Sequence, residues 1–91
     1  MAKILIPTAL RRFAGDQPSL DLPGERVGDV LGALAVQFPE LKKQLYNDEG
    51  KLRSFVNVYV NDEDIRFLEK DKTAVADSDT ISIVPSIAGG R

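Results

Sequence analysis

Cysteine and histidine are both missing from the 91 residues of the chain. Their joint absence removes thiolate nucleophiles, Ser-His and Cys-His dyads, imidazole metal sites, thiolate zinc clusters and disulfides. No apolar run approaches the roughly 18 residues of a membrane span. The opening stretch Met1 to Ile6 is too short for a signal peptide and is stopped by Pro7, so a cytoplasmic location with no membrane partner is expected. Long basic runs are lacking as well. Arg11-Arg12 and Lys42-Lys43 are the only adjacent basic pairs, and the formal charge is -2. Nucleic-acid binding draws on clustered cations, so no nucleic-acid partner is expected and each pair reads as a solvated face.

Carboxylate, lysine, tyrosine and hydroxyl chemistry remain. Asp62, Glu63 and Asp64 are dense in acid, but consecutive turn positions diverge and do not build a facing carboxylate pair. They also lack the ligand spacing of a calcium loop, so they read as a hairpin turn. No catalytic residue, resident metal or bound cofactor is expected, and the chain does not read as an enzyme. Any reactive group would be its own terminal carboxylate.

At this length the chain reads as one domain, residues 1–85, with a short tail, residues 86–91. Residues 3–7 alternate as a strand, with Ile4 and Ile6 on one face and Leu5 and Pro7 on the other. Gly15-Asp16 marks a turn, Ser19 to Leu22 reads as the return strand, and Pro23-Gly24 closes it. Val27, Val30, Leu31, Leu34, Ala35 and Phe38 then fall at helical spacing. The residues before this helix offer no good capping oxygen, so packing must hold its start. Pro39 forces Phe38 out of the helical region and can begin a second short turn carrying Leu41 and Leu45 on one face. Phe55 to Val60 reads as a β-branched central strand, Ile65 to Phe67 as a short strand, and Thr80 to Val84 as the last strand. The expected core is Ile4, Ile6, Leu20, Leu22, Val27, Val30, Leu31, Leu34, Phe38, Val56, Val58, Val60, Ile81 and Ile83.

After the last strand comes Ser86-Ile87-Ala88-Gly89-Gly90-Arg91. Two glycines without Cβ atoms let a backbone extend through a narrow slot; a frayed terminus is the plainer reading of the same residues. The element order resembles the β-grasp, an α+β fold in which a mixed sheet of four to five strands packs on one main helix. Joined to the tail Pro85 to Gly90, it looks like the ubiquitin-like sulfur-carrier family, which includes the molybdopterin synthase small subunit and the thiamine-biosynthesis carrier. The run Phe55 to Phe67 and the tail are most similar to the actinobacterial cysteine-synthesis branch.

The resemblance implies a protein co-substrate. An adenylating sulfurtransferase partner, using ATP, would activate the Gly90 carboxylate and convert it to a thiocarboxylate. Gly89 and Gly90 would form the reactive terminus, and an acceptor such as a cysteine synthase would take the sulfur. Arg91 departs from this pattern because it ties the Gly90 carboxyl into an amide, so a peptidase acting at Gly90-Arg91 is implied. The sheet face opposite the helix carries Leu5, Pro7, Asn57, Tyr59, Ser82 and Val84, an apolar set for a wet surface. Docking is expected to use Pro7, Tyr59 and Val84 together with Ile87 and Ala88. Loop cover over single apolar residues would also explain such a face. The same activated terminus would serve a protein modifier joined to lysines, and a β-grasp interaction module without terminal chemistry is a third reading.

Overall fold

A computed structural model describes residues 1–54 and 56–85. Five strands form one mixed sheet: β1 (Ala2–Leu5), β2 (Ser19–Leu22), β3 (Val56–Val60), β4 (Glu63–Asp64) and β5 (Thr80–Pro85), in the order β2-β1-β5-β3-β4. β5 lies centrally, parallel to β1 and antiparallel to β3. Two helices follow β2, α1 (Val27–Gln37) and α2 (Pro39–Leu45).

Alternation along the strands sends Ile4, Leu22, Val56, Val58, Val60, Ile81 and Ile83 to the inner face, where all are buried. The stripe of α1 buries Val27, Val30, Leu31 and Leu34 against them. Leu20 and Phe38, expected in the core, are only partly buried at its margin. Leu41 and Leu45 of α2 are fully enclosed, so the second helix closes the core as much as it links elements. Phe38 makes the break between the helices. Its backbone leaves the helical region, its N–H still donates to the Leu34 carbonyl at 2.9 Å, and its own carbonyl accepts from Leu41 at 3.0 Å.

The start of α1 has no side-chain cap, as its sequence implies. Main-chain groups from a distant segment replace it. The Val27 N–H donates to the Thr73 carbonyl at 2.9 Å, and the Val75 N–H donates to the Glu25 carbonyl at 2.9 Å. This strap satisfies a first-turn donor that would otherwise be orphaned and brings Val75 into the core. Gly24, just before the helix, has φ +149°, and a Cβ there would lie 2.8 Å from Asp29 Cβ and from Val30 Cγ2.

Three expectations about extent are corrected. β1 ends at Leu5; the hairpin contact persists one residue further, through the Ile6 N–H donating to Pro18 O at 2.8 Å. Pro7 then opens a 3-10 helix, Thr8–Phe13, and is not a strand residue. That helix occupies a stretch read only as a turn, and the Arg11 Nε donates back to the Ile6 carbonyl at 3.0 Å. The third correction concerns residues 65–67, which form a 3-10 helix rather than a strand. The β4 ladder stops at Asp64 because that side chain accepts the Arg66 backbone N–H at 2.9 Å and turns the chain. Phe55, expected in the central strand, lies outside the described residues.

Candidate functional site

On the sheet face turned away from α1, the register sets Leu5 beside Ser82, and Ser82 beside Tyr59. Val84 faces Asn57 two pairs further along the ladder. Because β1 and β5 are parallel, Leu5 and Val84 approach the same end of the sheet, the end at which β5 stops at Pro85. Leu5 is 40% and Val84 44% exposed, while Asn57, Tyr59 and Ser82 are half-buried. Directly opposite residues of an antiparallel pair stand about 4.5–5.5 Å apart and diagonal ones about 7–8 Å, so Tyr59, Ser82 and Val84 form one patch, which Leu5 joins through its pairing with Ser82. The half-buried Pro7 lies past the strand at the head of the 3-10 helix, near this end of the sheet and outside its alternation.

The group that borders Tyr59 is not among the residues expected from the sequence. Asp64 stands opposite it in β4, and the Asp64 carboxylate accepts from the Arg66 guanidinium at 2.7 and 3.2 Å. Those side-chain bonds, with the Arg66 backbone bond, hold the Asp64 carboxyl below its usual range. In return Asp64 raises the Arg66 guanidinium, with a smaller contribution from Tyr59. The Asp64 side chain is 8% exposed against 61% for Arg66, so the cation fronts solvent beside the tyrosine. A signal was present in the sequence: aspartate is a preferred cap for a helical turn, and Asp64 precedes Ile65-Arg66-Phe67.

The remaining acids of the turn do not join this pair. Asp62 and Glu63 are exposed, and among the described residues no group of three or more His, Cys, Asp or Glu could hold a metal ion. No helix among them is long and apolar enough to cross a membrane. Ile87, Ala88, Gly89, Gly90 and Arg91 lie outside the described residues.

A mixed sheet closed over a main helix, with an apolar outer patch and a central strand that leads in sequence to paired glycines, is the ubiquitin-like β-grasp architecture of small protein carriers. The chain belongs to the ThiS family, whose model matches residues 4–90. It is 42% identical over 89 residues to the sulfur carrier protein CysO of Mycobacterium tuberculosis, covering 96% of each protein. A crystal structure of the Amycolatopsis orientalis BexX/CysO complex contains a similar chain at 38% identity with a TM-score of 0.88, covering 99% of this chain and 100% of that one. Small archaeal modifier protein 3 of Haloferax volcanii is 38% identical over 64 residues, 70% of this chain and 68% of that protein.

Proposed function

We propose that this chain carries sulfur as a thiocarboxylate on Gly90, formed after cleavage of the Gly90-Arg91 bond, and delivers it to an enzyme of cysteine synthesis. The observation that carries the reading is the extent of the family match, which runs through Gly90 and leaves Arg91 outside it. The likeness to CysO proteins supports cysteine synthesis as the destination.

The chemistry follows from the weakness of a carboxylate as an electrophile. One Gly90 oxygen attacks the α-phosphorus of ATP held by the activating enzyme, pyrophosphate leaves, and the acyl-adenylate forms. Hydrosulfide supplied at that enzyme then attacks the acyl carbon, displaces AMP and loses its proton, leaving the thiocarboxylate. Gly89 and Gly90 make the arm thin enough to enter an active site. Tyr59, Val84 and the neighbouring Leu5 give the partner an apolar surface, while Pro7, Ile87 and Ala88 extend the contact toward the arm. The carrier itself supplies no general acid or base.

Intact mass spectrometry of the chain from its native cells tests this. Species shortened at Gly90, and the same species with one oxygen replaced by sulfur, are expected. Persistence of uncleaved chain alone, in cells starved for cysteine, would overturn the reading. The likeness to a small archaeal modifier protein favours a second fate for the same activated Gly90, an isopeptide bond to lysines on other proteins. Higher-mass conjugates lost on deletion of Gly89 and Gly90 would identify it.

A further inference from the structure

The far edge of the sheet is incompletely covered. β4 is two residues long and pairs with Tyr59 and Val60 of β3 alone, so among the described residues Val56 and Val58 meet no strand on that side. A two-residue turn joins β3 to β4, with Asn61 at φ 58°, which makes Val60 and Glu63 the hydrogen-bonded pair. By alternation the main-chain groups of Val58 and Val56 point to the same edge, where the Val56 N–H is held by the Arg53 carbonyl at 2.9 Å. The edge thus offers main-chain pairing at Val58, whose buried side chain belongs to the inner face of the sheet, while that of Tyr59 belongs to the outer.

A groove of about 710 Å³ opens beside it, floored by Leu31, Val56, Val58 and Ile65. A second cavity of about 530 Å³ meets it at Tyr46 and Gly50 and continues over α1 past Ala35 and Val36. The first forms a trough directly beside the open edge of β3, lined by Val56, Asn57 and Val58, a setting in which an extended chain can pair with the strand.

Its charge departs from that of the whole chain, which is formally -2. Lys51, Arg53, Arg66 and Lys70 line the groove against Asp64 and Asp71. Asp64 is occupied by Arg66, and the Arg53 guanidinium donates to the Lys43 carbonyl at 3.2 and 3.3 Å. The ammonium groups of Lys51 and Lys70 form no ion pair among the described residues. Lys70 has φ 56°, a left-handed conformation uncommon for lysine.

We propose that this trough receives an extended acidic segment of a partner protein. The segment would add a strand at Val58 of β3, set alternate apolar side chains against Leu31 and Ile65, and place carboxylates on Lys51 and Lys70. Main-chain pairing supplies affinity in such an arrangement, and the pockets and charges supply selectivity. The inference stands apart from the chemistry of Gly90.

The test is a titration of isotopically labelled protein with a blocked peptide of about eight residues alternating Val and Glu, followed by amide chemical shifts. Saturable shifts centred on Val56, Val58 and Ile65 are expected, with Leu5 and Val84 on the outer face unmoved. A peptide alternating Val and Lys should bind weakly or not at all. The exposed double variant Lys51→Glu, Lys70→Glu should keep its melting temperature and weaken the acidic peptide by roughly tenfold or more. Absence of saturable shifts at millimolar peptide, equal binding of the lysine peptide, or shifts confined to the Tyr59 face would overturn the proposal.

Discussion

Tyr59 of β3 and Ser82 of β5 are direct cross-strand partners, and Ser82 in turn pairs with Leu5 of β1. The half-buried tyrosine is therefore held between ordered strands, near exposed Val84 and the end of β5. Tyr59→Glu or Val84→Glu should leave stability within about 1 kcal/mol while reducing the partner-dependent thiocarboxylate formation proposed for Gly90 by roughly tenfold or more. Thermal melts and single-turnover activation assays on the same samples measure both. Normal activation by either variant would remove the outer face from the docking surface.

Asp64 and Arg66 give a prediction with a definite sign. The folded-state pKa of Asp64 is depressed, so its contribution to stability is present above the unfolded value of about 3.9 and is lost as pH falls through the folded value. Asp64→Asn should melt below the parent at pH 7, with the gap closing as the pH drops below 3.9. A melting-temperature profile for both proteins checks this. A gap that stayed constant across the acid range would assign the loss to packing.

Much of this fold is legible because its signals are side-chain patterns. The stripe from Val27 to Leu34 specifies α1, and the alternation in Val56 to Val60 and Thr80 to Val84 specifies β3 and β5, with the expected inner residues buried. The strap at Thr73 to Val75 is illegible for a physical reason. It is built from main-chain bonds to Val27 and Glu25, and main-chain groups are the same in every sequence. Ile65 to Phe67 misleads because its apolar alternation is read without Asp64, whose side chain captures the Arg66 N–H. The patch at Leu5, Tyr59 and Val84 follows from alternation; Pro7 escapes it because the strand ends first.

Gly24 sits where a side chain has no room. With φ +149° and a virtual Cβ 2.8 Å from Asp29 Cβ and Val30 Cγ2, Gly24→Ala must displace the first turn of α1. The expected cost is about 2–3 kcal/mol, seen in chemical denaturation as a lower midpoint with an unchanged slope. A loss below about 0.5 kcal/mol would mean that this turn yields freely.

Ile81 is wholly enclosed, paired with Ile4 on one side and Val60 on the other. Ile81→Ala should cost about 2–5 kcal/mol, measured by denaturant unfolding. A variant losing less than 1 kcal/mol would contradict the central place given to β5.

That central place has a mechanical consequence. When a partner pulls the segment beyond Pro85 along the direction of β5, the force acts on a strand flanked by β1 and β3 at once. The hydrogen bonds on both sides are then strained together in shear rather than opened one by one as at a sheet edge. A carrier anchored in this way resists being unravelled by the hand that takes its cargo.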